Sequence, residues 1–182
     1  MSPKIFIETP RLVLREWIDD DALPFVTLNS DKTVMAFFPS VRSAGETMEQ
    51  IQRISKHIAE YGYGFFALER KDNGRFIGFT GLSHPGFEAA FTPCVEIGWR
   101  LSMENWGQGF ATEAGKACLE FGFDTLGLDE IYSFTAVQNK PSEKVMQRIG
   151  MVKKGYFDHP SIDNESELKN HVLYSIKNPD MG

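Results

Sequence analysis

Trp106-Gly107-Gln108-Gly109-Phe110-Ala111-Thr112 stands between two stretches of opposite character. Before it, Val95-Glu96-Ile97-Gly98-Trp99-Arg100-Leu101 has the β-branched and aromatic content of a strand. After it, Ala111, Ala114, Gly115, Cys118 and Gly122 recur at spacings of three and four in a proline-free run to Leu126. That run predicts a helix whose small-residue face lies close on a sheet. Strand, tight loop and helix in this order make an anion site, because the free backbone N–H groups of a helix N-terminus converge on the loop. Glycine at 107 and 109 lets phosphate oxygens approach the backbone, and Gln108 and Thr112 can add side-chain donors. Taken alone, the loop also reads as a plain turn whose glycines permit positive φ.

Two familiar phosphate loops do not fit. Nothing supplies the lysine of Gly-x-x-x-x-Gly-Lys-Ser/Thr. A dinucleotide fingerprint needs a third glycine where Thr112 stands and an acidic residue ending the next strand. Glu130 has a suitable distance but precedes the strand expected from Ile131.

Working outward, Arg11 to Trp17 predicts a first strand, and Asp19-Asp20-Asp21 caps a short helix beginning near Ala22. Residues 31–41 read as loop or broken helix. Ser43 and Glu46 form a capping box ahead of Met48, Ile51, Ile54, Ile58 and Tyr61, which share one helical face up to Gly62. Phe65 to Glu69 and Phe76 to Thr80 are strands joined around Asp72-Asn73-Gly74, a hairpin signal. Val95 to Leu101 is the fourth strand and Ile131 to Val137 the fifth. Pro141 opens and Gly150 closes a helix over Ser142 to Ile149. Strands follow over Met151 to Phe157 and His171 to Ile176, with a polar loop between them. The expected architecture is a mixed α+β sheet flanked by helices, forming one domain over residues 1–182.

The whole chain narrows the function. Its 42% hydrophobic and 24% charged residues are those of an ordinary globular protein. A formal net charge of -6 argues against nucleic acid, whose phosphates require clustered Lys and Arg. No apolar run is long enough for a bilayer and no secretory signal is visible at the N-terminus, so no membrane partner is expected and the cytoplasm is the expected location. Cys94 and Cys118 read as buried thiols. The four histidines and two cysteines lack metal-ligand spacing, so no metal site is expected.

Trp106 to Ala114 resembles the coenzyme A loop of the GNAT acetyltransferase superfamily, in the form found in its Rim branch, which acetylates N-termini of ribosomal proteins. Thr9-Pro10-Arg11-Leu12, Glu96-Ile97-Gly98-Trp99, Asn139-Lys140-Pro141-Ser142, Gly150-Met151 and His171-Val172-Leu173-Tyr174 resemble the same branch in order. The resemblance implies a GNAT fold: a mostly antiparallel sheet of about seven strands, its fourth and fifth splayed apart, with about four helices. It implies acetyl-coenzyme A as co-substrate and a primary amine as acceptor, either a small molecule or a protein N-terminus, handled by a monomer or homodimer. Pantetheine would bond backbone groups of Trp99 and Leu101. Trp106, Gly107, Gln108, Gly109, Phe110, Ala111 and Thr112 would surround the pyrophosphate, and Asn139 and Ser142 would contact the far side of the coenzyme.

Direct transfer needs a base for the amine proton and stabilisation of the leaving thiolate. Many family members place a tyrosine acid where Met146 stands here, so that assignment fails in this chain. Ser142 is the alternative beside the sulfur, and it equally suits a plain helix N-terminus. Glu96 is the expected base, against the reading of a solvent-facing strand carboxylate. His84 and His171 are lesser candidates. Phe37, Phe38, Tyr61 and Tyr63 are expected either as a substrate wall or as core. Two other functions stay open: a non-catalytic coenzyme A sensor, suggested by the missing tyrosine, and a nucleotide-dependent oxidoreductase.

Overall fold

The computed structural model describes residues 2–179. Eight strands form one sheet: β1 Ile5–Glu8, β2 Leu12–Arg15, β3 Phe65–Arg70, β4 Phe76–Ser83, β5 Val95–Leu101, β6 Glu130–Ala136, β7 Val152–Asp158 and β8 Asn170–Lys177. Their order is β1-β2-β3-β4-β5-β6-β8-β7. Every neighbouring pair is antiparallel except β5 with β6. The helices are α1 Ala22–Ser30, α2 Ala44–Tyr61, α3 Phe110–Glu120 and α4 Lys140–Arg148. The mixed, mostly antiparallel GNAT architecture is the one expected, with one strand more than about seven. The additional strand, β1, is four residues long and lies at the sheet edge, too short for alternation to reveal it.

Local chemistry accounts for the element ends. The Ser43 hydroxyl accepts the Glu46 N–H at 3.2 Å while the Glu46 carboxylate accepts the Ser43 N–H at 2.7 Å, closing the first turn of α2. Gly62, at φ 77°, ends that helix in the left-handed region. Asn139 caps α4 by accepting the Ser142 N–H at 3.3 Å. Residues 31–41 form turns rather than a helix. The helix expected to reach Leu126 stops at Glu120 and continues as a wide π turn over Phe121–Thr125.

Ala114 and Cys118 are fully buried against the sheet, as the small-residue stripe required. Leu12, Leu14, Phe66, Leu68, Ile97 and Ile131 belong to the same core. Each such side chain contributes about 1.5–3 kcal/mol relative to exposure. Cys94, in the loop that leads into β5, is only half-buried, which corrects the expectation of two buried thiols.

Candidate active site

The sheet opens between β5 and β6. Their parallel pairing is confined to Val95 with Ile131 and Glu96 with Tyr132, after which the strands diverge. Ser133 bridges the start of the gap by donating its hydroxyl to the Ile97 carbonyl at 3.0 Å. On the other edge of β5, the Ser102 N–H donates to Ile77 of β4 at 2.9 Å. Antiparallel alternation then directs the backbone of Leu101, Trp99 and Ile97 away from β4 and into the gap. The Trp106 indole N–H caps the Leu101 carbonyl there at 2.8 Å. The Trp99 N–H and carbonyl and the Leu101 N–H face the same opening.

At the C-terminal end of β5 the chain enters the glycine loop. Gly107 and Gly109 have φ of 72° and 81°, values an L side chain rarely adopts. Gly109 is the N-cap of α3, and the first helical bond runs from the Glu113 N–H to the Gly109 carbonyl at 2.9 Å. The N–H groups of Phe110, Ala111 and Thr112 therefore have no acceptor within the helix. The Gln108 side chain donates to the Glu104 carbonyl at 2.9 Å, so its amide shapes the loop.

Sequence reasoning missed what braces this loop. Arg11 donates from Nη1 to the Gln108 carbonyl at 2.9 Å and pairs through Nε with Glu113 at 2.6 Å. The Thr9 hydroxyl donates to the same carboxylate at 2.7 Å. The Arg11 and Arg70 guanidiniums lie 4.5 Å and 5.0 Å from the Phe110 ring centroid. They line a cavity of about 430 Å³ with Lys71, Asp72 and Gln108. Thr9-Pro10-Arg11-Leu12 and Glu113 were visible in the sequence, but only tertiary structure joins residues 102 apart.

Glu96, Gly98 and Arg100 alternate onto the sheet face opposite Ile97, which packs in the core with α3. Burial pushes the Glu96 carboxyl up to about 7. Among the described residues no hydrogen bond or ion pair reaches it. Ser142 is half-buried at the start of α4, and its hydroxyl likewise has no partner among the described residues. The Asn139 amide is already engaged, donating to Thr135 at 2.9 Å while it caps α4. Met146 is 1% exposed and belongs to the core.

Three of the four rings of the expected wall divide between two places, and Phe37 is half-buried in the turns before α2. Phe38 lies over the Arg100 guanidinium at 4.2 Å. Tyr61 and Tyr63 pack with His57 and His84. His84 accepts or donates through both ring nitrogens, to His57 and Tyr63, each at 3.2 Å. His171 sits among Phe134, Phe157 and His159, where burial pushes it down to about 4. Among the described residues no group of three His, Cys, Asp or Glu is placed to hold a metal, and no helix is long and apolar enough to cross a membrane.

A splayed parallel pair running into a glycine-capped helix defines a class of acyl-carrier transferases, and comparison with known proteins agrees. The Acetyltransferase (GNAT) domain family matches residues 11–152, and this chain belongs to that family. It is 31% identical to the uncharacterized N-acetyltransferase YnaD of Bacillus subtilis over 171 residues, covering 93% of this chain and 95% of that protein. It is 30% identical to the uncharacterized protein YkkB of the same organism, covering 83% and 87%. A GNAT-family acetyltransferase from Bacillus anthracis superposes with a TM-score of 0.80 at 25% identity, covering 96% and 99%. Two more distant structures share the fold. One is a ribosomal-protein-S5-alanine acetyltransferase from Vibrio fischeri, with a TM-score of 0.76 at 19% identity, covering 98% and 99%. The other is a spermidine N-acetyltransferase from Vibrio cholerae in complex with CoA and spermine, with a TM-score of 0.73 at 22% identity, covering 93% and 97%.

Proposed function

We propose that this acetyltransferase moves the acetyl group of acetyl-coenzyme A directly to a primary amine, as a Rim-like member of its family. The observation that carries the reading is the continuity of the β5/β6 gap with the N-terminus of α3, which aligns one row of free backbone groups with a second set suited to phosphate.

The N–H groups of Phe110, Ala111 and Thr112 hold the pyrophosphate, with Trp106, Gly107, Gln108 and Gly109 shaping the loop around it. The cavity lined by Arg11, Arg70 and Lys71, together with Asp72 paired to Arg70, keeps a net positive lining that suits the remaining phosphate charge. Trp99 and the Leu101 N–H bond pantetheine within the gap. The coenzyme supplies an acyl thioester that an unprotonated amine can attack.

Glu96 accepts the amine proton. With its carboxyl near 7, it is substantially ionised at neutral pH yet basic enough to receive a proton in the transition state. Gap-facing backbone N–H groups polarise the thioester carbonyl. The Ser142 hydroxyl donates a hydrogen bond to the departing sulfur, and Asn139 fixes the turn that presents it.

Isothermal titration with acetyl-coenzyme A, with NAD as the control titrant, tests the site. Saturable binding of acetyl-coenzyme A alone is expected, and Gly109→Glu should abolish it by placing a carboxylate where phosphate must sit. A mass-detected amine screen then compares peptides beginning with alanine, the residue in the name of the Vibrio fischeri ribosomal-protein-S5-alanine acetyltransferase, with spermidine and spermine, the amines named for the Vibrio cholerae enzyme. Binding without acetylation of any amine would leave coenzyme A sensing in place of transfer.

A further inference from the structure

On the far face of β5 from α3, a second site is built from residues the acetyl-transfer scheme does not use. Arg100 is 8% exposed. Its Nη1 donates to the Asn29 Oδ1 of α1 at 2.7 Å, and its Nε is buried without a hydrogen-bond partner among the described residues. Arg42, just before α2, also has a buried Nε without a partner. The two guanidiniums repel: burial first, and Arg42 second, hold Arg100 below the usual arginine value. Among the described residues neither makes an ion pair, although Glu46 lies near enough to feel the Arg42 charge while bonded to Ser43.

Asn29 ties the two arginines into one site. It is fully buried, its carbonyl accepts the Arg42 backbone N–H at 2.9 Å, and its side-chain amide donates to Thr47 and Gln50 at 3.2 Å and 3.3 Å. Its acceptor oxygen is thereby aimed at Arg100 and its conformation is fixed. Phe38 covers the Arg100 guanidinium and Phe79 flanks it, at 4.2 Å and 5.4 Å from the ring centroids. Phe38 is 36% exposed and Arg42 is half-buried, so the site opens on that side.

We infer that Arg42 and Arg100 form a binding site for a small organic carboxylate, which displaces the half-exposed Phe38 ring to reach the two Nε–H donors now covered, one for each carboxylate oxygen. Two buried like charges without an anion are unfavourable, whereas a carboxylate between them removes the repulsion and satisfies both donors. Glu96 and Arg100 are four residues apart on the same face, about 13 Å along the strand. The Phe65 ring lies between them, 3.1 Å from where a Cβ on Gly98 would stand. The carboxylate belongs either to the acceptor amine itself or to a separate effector, and the chemistry recognised is the same.

The test uses the full chain saturated with coenzyme A, which fills the phosphate-binding loop. Acetate and succinate are titrated at constant ionic strength against sodium chloride, with acetamide as the uncharged control, and thermal unfolding is followed. Both carboxylates should raise the midpoint, chloride and acetamide should not, and Arg42→Gln and Arg100→Met should each weaken the apparent affinity by at least about tenfold. Arg42 lies outside the elements, so Arg42→Gln carries the test if Arg100→Met does not fold. No carboxylate-dependent shift in the unsubstituted protein, or equal shifts in protein and folded variants, overturns the site.

Lysine and cadaverine, which differ by a carboxylate, then separate the sources in a transfer assay. A KM raised by Arg42→Gln for lysine alone assigns the site to the acceptor. Unchanged KM values beside a lost succinate shift assign it to an effector. Because the first readout is binding to coenzyme-loaded protein, it stands even if no amine is acetylated.

Discussion

Arg15 and Arg100 are both buried guanidiniums on the sheet, 4% and 8% exposed, and their surroundings are opposite. Arg15 closes its fork on Asp21 at 2.7 Å and 2.9 Å, reaches Glu69 at 2.7 Å and donates to the Glu16 carbonyl at 2.9 Å. Arg100 has one neutral acceptor and a like charge beside it. Two carboxylates repeat the contrast. Glu143 takes Lys140, Lys153 and the Tyr174 hydroxyl and is held down at about 2, while Glu96, with no partner among the described residues, is pushed up to about 7 by burial. Where a charge serves the fold, partners surround it, because a buried charge without one is costly. The two charges of β5 lack that support, and both occupy the same face of the strand beside the gap.

The comparison breaks most directly at Arg15. Arg15→Met should cost about 3–5 kcal/mol in urea unfolding, because it strands the Asp21 carboxylate in the interior. Arg100→Met should cost much less, since it removes repulsion along with one hydrogen bond. Equal losses would mean that Arg100, too, is held for the fold.

Glu96→Gln should lower kcat by about a hundredfold while sparing acetyl-coenzyme A binding. In the unsubstituted protein the rate should rise with pH through about 7 as Glu96 ionises, and that limb should vanish in the variant. Turnover unchanged at every pH would remove Glu96 as base.

Stability against pH sharpens the contrast between the glutamates with opposite signs. Glu96 has its folded value raised above its ordinary 4.5, so its contribution is fully present below 4.5 and is lost as pH rises through about 7. Glu96→Gln should therefore leave the unfolding midpoint unchanged below about pH 4.5, raise it progressively between 4.5 and 7, and raise it fully above 7. Glu143 has its folded value lowered, so its contribution is present above 4.5 and is lost as pH falls towards 2. Glu143→Gln should flatten the acid limb of the stability profile. The smallest effect is expected from Arg42→Gln, a slight rise in the midpoint without added carboxylate, as repulsion on Arg100 is relieved.

Legibility followed the range of the interactions. The Ser43 and Glu46 cap, the Asn73-Gly74 turn, strand β5 and the small-residue face of α3 were all readable because each is written within a few residues. Strand β1 escaped because four edge residues carry too little pattern. The π turn escaped because continued helical spacing does not reveal a change of backbone pitch. Glu96 could be singled out from its motif, but its raised pKa follows from burial that no local pattern reports.

By itself the sequence determined the strand-loop-helix unit, the glycines its positive φ angles need, and through them the family of the fold. Only the tertiary structure decided that Arg11 braces the loop through Glu113, that β5 and β6 part after two residue pairs, and that Arg42 and Arg100 both bond Asn29. The physical reason is that backbone geometry is set by neighbours in the chain, whereas desolvation and charge pairing depend on neighbours in space.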